Sequence, residues 1–229
     1  MALTVTSPAA VVAAARCSIV AGLSFVALLG GLHIVAPEYD PTWRFVSEYA
    51  LSPFGWMMTL AFAALAASLA GAAIVARSQL QNVVGRIGLL IIVVAVVGLL
   101  LAAAFKTDPI NAAPAAATFS GKMHVLGASL DYSPIGALLV SLGLARNPAW
   151  RPVRVQLFAT ATISIVATVA FIAALPPEYS FRPGVYAGLI GRLLLVSYLG
   201  WTFTLAAHAI RLGARVTRHP WMGSTTNGI

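Results

Sequence analysis

The sequence predicts an all-α polytopic membrane protein: a six-transmembrane-helix bundle with both termini on the cytoplasmic side. Three observations predict it. Of 229 residues, 60% are hydrophobic and only 9% are charged, against roughly 25% charged in an ordinary soluble domain. The apolar residues gather into six runs, at about 15–36, 53–76, 87–105, 122–144, 155–175 and 187–210. Basic residues are dense in alternate connections between those runs and sparse in the others. A water-soluble surface cannot be built from so few charges, because the apolar excess is more than one core of this size can bury. The same excess rules out disorder.

Each run is about 19–24 residues long, and roughly 20 residues rising 1.5 Å apiece cross the hydrocarbon core. Outer-membrane barrel strands would be about 10 residues with strict alternation. Residues 1–16 hold one arginine, Arg16, and precede an apolar stretch from Cys17 to Ala36. It outlasts the roughly 7–15-residue apolar segment of a signal peptide, so it reads as a retained helix. Ser52-Pro53 ahead of the second run has the pattern of an N-cap followed by proline at the first helical position. Ser120 stands in a similar place before the fourth run, and Pro176-Pro177 ends the fifth. The pairs Ala67/Gly71 and Gly184/Gly188 are small enough for close helix approach. Residues 1–214 are expected to form a single six-helix domain and 215–229 a flexible cytoplasmic tail.

The charges orient the bundle. Arg16, Arg77, Arg86, Arg146, Arg151, Arg154, Arg211, Arg215 and Arg218 share one side. The other side holds Arg44, Lys106, Lys122 and Arg182, together with the loop acids Glu38, Asp40, Glu48, Asp108 and Glu178. The positive-inside rule makes the arginine-rich side cytoplasmic. The net charge of +8 does not indicate nucleic acid, because the basic residues form no aromatic-interleaved patch. Cys17 is the single cysteine, so no intrachain disulfide is possible. Two short echoes recur: Pro37-Glu38-Tyr39 with Pro177-Glu178-Tyr179, and Ser52-Pro53-x-Gly55 with Ser133-Pro134-x-Gly136. They arise from duplication, from chance, or from shared helix-end chemistry.

Five polar residues are candidates for function: Ser47, Glu48, His124, Asp131 and Arg192. Asp131 lies about ten residues into the fourth run, where an unpaired carboxylate is costly. Arg192, near the outer start of the sixth run, is the expected partner through its long side chain. Such a pair is either a helix–helix clamp or part of a ligand-binding or proton-handling site; snorkelling is the third option. His124 precedes Asp131 by seven residues, placing both on about the same helical face. His33 lies near the outer end of the first run, where a loop carboxylate is the expected partner. Ser47 and Glu48 precede the second run, and together the five residues outline an outward-facing polar vestibule. No metal-ligand spacing is present, and no two histidines match in depth to hold haem, so no metal or other cofactor is implied.

Val46-Ser47-Glu48 after a Pro-x-Tyr outer loop, with Lys122-Met123-His124 opening the fourth helix, resembles the bacterial integral membrane family called domain of unknown function 998. The likeness covers about residues 20–210 and implies a six-helix membrane domain of a bacterial inner membrane, with no established activity. A more distant likeness is to the six-helix autophagy modulators and GPI-lipid-remodelling proteins. Ser47, Glu48 and His124 occupy the places of that group's serine–acid pair and histidine, with glutamate here in place of aspartate.

Three functions remain open. The chain binds or moves a membrane lipid or small amphiphile; it is an intramembrane enzyme acting on a lipid headgroup; or it is a structural subunit that binds protein partners. For the enzyme, Glu48 or His124 would be the base and Arg192 an anion anchor, but Ser47 has no evident base to activate it.

Overall fold

The computed structural model describes residues 7–177 and 180–218, except the side chains of Pro114 and residues 215–218. Among the described residues it is all-helical, with six helices long and apolar enough to cross a membrane. In chain order these are α1 (Pro8–Val35), α2 (Gly55–Arg77), α3 (Val83–Ala104), the pair α4 (Phe119–Ser129) and α5 (Ser133–Leu144), α6 (Arg154–Ala173) and α7 (Ala187–Arg218). The protein is an integral membrane protein. Its six spans place the 36–54, 105–118 and 174–186 connections on one face, here the acidic-loop face, and the start of α1 and the end of α7 on the arginine-rich face.

Consecutive spans pack as antiparallel neighbours, and α7 returns to α1 to close the ring. The α2 helix is the most enclosed: 61% of its membrane window is buried, against 17% for the span ending in α6. Its Leu65, Leu69, Ala72 and Val75 lie in the core, whereas α6 turns Val155, Ile163, Val166, Val169 and Ile172 outward. Outward apolar side chains are the expected lipid-facing surface. Gly71 brings α1 against α2, since a Cβ there would run into the Ala14 carbonyl and Ser18. Gly98 on α3 and Gly127 on α4 likewise face each other's backbone. This is close approach through small residues, the usual way to gain van der Waals contact when lipid is as apolar as leucine. Gly184, by contrast, sits in the loop before α7 with φ +95°.

The fourth span departs from the expected single helix over 122–144. It breaks at Leu130-Asp131-Tyr132. Pro134 supplies one cause of the break: it has no N–H to give the Leu130 carbonyl, and its ring would clash with that carbonyl in a continuous helix. The chain turns instead, with Leu130 N–H bonded to Gly127 O and Asp131 N–H to Ala128 O. The Asp131 carboxylate then accepts from Ser133 N–H at 3.1 Å. Ser133-Pro134 is therefore a helix start, whereas Ser52-Pro53 falls in the turn between the 3₁₀ segment Val46–Leu51 and α2, so the two copies of the second echo occupy different positions relative to their helices. Glu178 and Tyr179, which complete the first echo, lie outside the described residues.

Two expected caps differ. Ser52 stands ahead of α2, taking Phe54 N–H and donating to Tyr49 O, so it joins the 3₁₀ turn Val46–Leu51 to the helix that follows. The N-cap of α4 is Thr118, whose hydroxyl accepts from Gly121 N–H at 2.9 Å, while Ser120 donates to the Lys106 carbonyl. At the far end α7 runs through Arg218, and the remaining tail, 219–229, lies outside the described residues.

Candidate functional site

The five candidate residues separate into three environments. On the acidic-loop face, Glu48 is 1% exposed within the 3₁₀ turn Val46–Leu51. Its Oε1 accepts from Arg44 Nη1 at 3.0 Å and from Ile110 N–H at 3.0 Å. The 36–54 connection is thereby fastened to the 105–118 connection. Glu48 Oε2 and Arg44 Nε are buried without hydrogen-bond partners. Ser47 is beside Glu48 in sequence and buried.

Arg192 is 7% exposed on α7, and the expected bond to Asp131 is absent. Its Nε donates to His33 Nε2 at 2.9 Å. Its Nη1 donates to the carbonyls of Pro41, Arg44 and Gly188 at 2.7–3.0 Å. The guanidinium also lies over the Tyr49 ring, 5.7 Å from its centroid. A planar fork of donors suits several converging carbonyls better than a single distant carboxylate. His33 therefore pairs with an arginine, not with the expected loop acid, and its Nδ1 donates to Leu29 O at 2.6 Å. Gly188 lets the segment close: a Cβ there would strike the Arg44 carbonyl.

Around this cluster, Asp40 accepts from both the amide and the hydroxyl of Thr42, and these bonds hold its carboxyl below the usual carboxylate range. Burial raises the phenols of Tyr39 and Tyr49 above their ordinary value. The 105–118 connection is closed in a similar way by Asp108, which accepts from Thr118 N–H and Oγ–H.

His124 stands apart, on α4. Its Nδ1 faces the carbonyls that end α3, Ala102 at 3.0 Å and Phe105 at 2.9 Å, so that nitrogen carries the proton. The ring meets Phe62 of α2 edge-on, with centroids 5.8 Å apart. It satisfies a helix C-terminus, where unpaired carbonyls need donors. The break in the fourth span interrupts the regular seven-residue relation between His124 and Asp131.

Asp131 is in the third environment, about 18 Å along the chain from Phe119 at 1.5 Å per residue. It accepts from Ser133 N–H and so closes a two-residue turn just ahead of α5, whose N-cap is Tyr132. The hydroxyl of Ser133, two residues on, is buried without a hydrogen-bond partner, as is that of Tyr198 on α7.

The vestibule thus resolves into a loop clamp around Glu48 and Arg192, a helix cap at His124 and a separate mid-span group at Asp131. None of the five residues forms a nucleophile–base hydrogen bond among the described residues. Arg44 and Tyr49 were missed in sequence; the four-residue spacing from Arg44 to Glu48 was the available signal for the first. Next to the clamp, Phe45 meets Phe181 edge-on at 4.9 Å, and beyond Phe181 lies an open groove of about 460 Å³ between the end of α6 and the start of α7. Pro176, Pro177, Ser180, Arg182, Tyr186 and Ile190 line it.

Comparison with curated proteins and with solved structures finds no match. A family model described as protein of unknown function (DUF998) matches residues 19–208, which takes in α2–α6, most of α1 and the first two-thirds of α7, and the chain belongs to that family.

Proposed function

We propose that the protein binds a membrane lipid or another small amphiphile on its acidic-loop face, without chemical conversion. The observation that carries this reading is the open groove between α6 and α7. It offers the exposed guanidinium of Arg182 and the ring of Tyr186 above an apolar floor of Pro176, Pro177 and Ile190. Immediately below, Ile172 and Leu193 are exposed on the membrane-facing sides of α6 and α7. A cation and an amphipathic aromatic ring at the interface, continuous with an apolar surface, match an anionic headgroup with its chain. Phe45, next to Arg44 of the clamp, packs on Phe181, which lies in the chain between two residues lining the groove, Ser180 and Arg182; the clamp does not itself contact the ligand. Among the described residues no nucleophile–base pair stands at the clamp, which supports binding over lipid-headgroup chemistry.

Native mass spectrometry of gently solubilised protein tests the proposal. Wild type should retain a discrete lipid mass, and Arg182→Gln and Tyr186→Ala should lose most of its occupancy while remaining folded. If no species is retained by wild type, or the same lipid is held equally by all three proteins, the groove is not a lipid site. A structural or partner-binding subunit becomes the better reading in that case.

A further inference from the structure

We propose that the break in the fourth span is a docking site for a transmembrane helix of another protein, one that carries a lysine or arginine at mid-membrane. The starting point is depth. The span Phe119–Leu144 has 26 residues, and Asp131 and Tyr132 are its central two. Asp131 Oδ1 accepts from Ser133 N–H at 3.1 Å. Its Oδ2 takes no hydrogen bond, and no basic side chain pairs with either oxygen, among the described residues. Unlike the unpartnered hydroxyls of Ser133 and Tyr198, Oδ2 is not sealed inside the bundle, and Asp131 is only half-buried. A carboxyl group without a counter-charge is thus accessible at the centre of the bilayer, where such a group is costly and normally faces a partner.

The backbone gives a second, independent reason for a partner. Tyr132 is 56% exposed, Ser129 is exposed and Leu130 is half-buried, so the break opens on the outside of the bundle. The carbonyls of Ser129 and Asp131 accept no hydrogen bond among the described residues. Irregular backbone with unpaired groups does not stand against lipid, because hydrocarbon offers it no donor; it persists where protein or water covers it. Apolar side chains flank the break on both sides. Val125 and Leu126 on α4, and Ile135 and Leu142 on α5, are all exposed. At spacings of three, four and seven residues, Val125, Ser129 and Tyr132 line one side of α4, and Ile135 and Leu142 one side of α5. The surface therefore has apolar ends and a polar, anionic middle.

That pattern selects the occupant. A lipid's cationic headgroup does not reach the middle of a core about 30 Å thick. A second copy of this chain brings no cation to this depth. Arg16, Arg77, Arg86, Lys122, Arg192 and Arg211 all stand in the first or last third of their spans, and Arg192 is buried and engaged. A symmetric pair of copies would instead set one Asp131 against another. A helix from a different protein, apolar along its length with one basic residue near its centre, matches the surface in both respects. Its ammonium or guanidinium donates to Asp131 Oδ2 and to the free carbonyls, and its apolar turns cover Val125, Leu126, Ile135 and Leu142.

The test is photocrosslinking of the full chain in its native membranes, with p-benzoylphenylalanine in place of exposed Tyr132. The same group in place of Val166, on the outward face of α6, is the reference. Position 132 should give a discrete protein adduct that position 166 does not. Mass spectrometry should place the crosslink in a transmembrane helix of another protein, within a turn of a lysine or arginine at mid-span. Replacing that basic residue by leucine should lower the adduct about tenfold, the scale of one strong polar contact between helices in lipid. Asp131→Asn, which keeps an acceptor for Ser133 N–H, should do the same. Adducts at 132 with lipid alone, with a second copy of this chain, or with a helix lacking a central cation each overturn the proposal. No adduct at 132 overturns it as well, as does an adduct that survives Asp131→Asn. Should Asp131→Asn fail to fold, an adduct unchanged by the leucine replacement in the partner is the overturning result. Lipid retention at the α6–α7 groove is read separately and does not enter this outcome.

Discussion

Arg192 and His33, 159 residues apart in the chain, are joined by a 2.9 Å hydrogen bond from the arginine Nε to the histidine Nε2. The bond fixes the tautomer: Nε2 accepts, so Nδ1 carries the proton that goes to the Leu29 carbonyl. With Pro41, Arg44 and Gly188 on the same guanidinium, the side chain holds α1, the 36–54 connection and α7 together. Arg192→Gln would leave several of these acceptors without a donor, at about 1–3 kcal/mol for each group left buried. The expected result is a large fall in the unfolding temperature of the solubilised protein. Arg192→Lys, which retains the charge but lacks the planar fork, should recover only part of it. If Arg192→Gln unfolds at the wild-type temperature, the clamp is not a stabilising element.

The clamp also shows which features could be read from sequence. Span number followed from hydropathy, because a span is a local property of about 20 residues. The Arg44–Glu48 ion pair was also accessible, through four-residue spacing within one turn-rich segment. The Arg192–His33 bond was not: two residues on different spans meet only after the ring of helices closes. Asp131 was assigned to Arg192 because charge was the only criterion available. In the fold, a backbone N–H two residues away is the nearer donor, and five donors on Arg192 find carbonyls and an imidazole already at hand. Ser133-Pro134 did carry the local information that breaks the span, but hydropathy averages over such a break.

Glu48 connects two loops that share no sequence proximity, and two substitutions separate its charge from its acceptor. Glu48→Gln keeps an oxygen for Ile110 N–H and gives up the ion pair with Arg44, whose side chain is 28% exposed. A partly exposed pair contributes on the order of 1 kcal/mol or less. Glu48→Ala removes both and should cost about 1–2 kcal/mol more. Hydrogen exchange of the 105–118 connection distinguishes the two. It should rise about tenfold in the alanine variant, the equivalent of ~1.4 kcal/mol in opening free energy, and little in the glutamine variant. Equal exchange in both would mean that Ile110 does not depend on Glu48.

Asp40 supplies a pH dependence with a defined sign. Its folded-state carboxyl is held low, first by the Thr42 hydroxyl and then by the Thr42 amide. A lowered folded value means that the stabilisation is present above the unfolded value of about 3.9 and is lost as pH falls through the folded one. Wild type should therefore lose more of its unfolding temperature between pH 6 and pH 3 than Asp40→Asn does. The subtraction between the two proteins removes the contribution of the other carboxylates. The same loss in both would show that the Thr42 bonds do not favour the ionised form.

Pro134 and Asp131 give competing accounts of the break in the fourth span, and substitution separates them. If the missing N–H and the ring clash break the helix, Pro134→Ala restores a donor for the Leu130 carbonyl. The chain from Ser129 to Gly136 can then run as one helix, in which Ser133 N–H bonds to Ser129 O and leaves the Asp131 carboxylate. Amide exchange at Tyr132, Ser133 and Ile135 should slow by about tenfold or more, as ~1.4 kcal/mol of added protection implies. If the Asp131 cap is the stronger cause, the turn persists and those amides exchange as in wild type. Asp131→Asn in the Pro134→Ala background then decides the matter. Loss of the carboxylate charge should let the helix close if that charge holds the break, and should change nothing if the proline had done so.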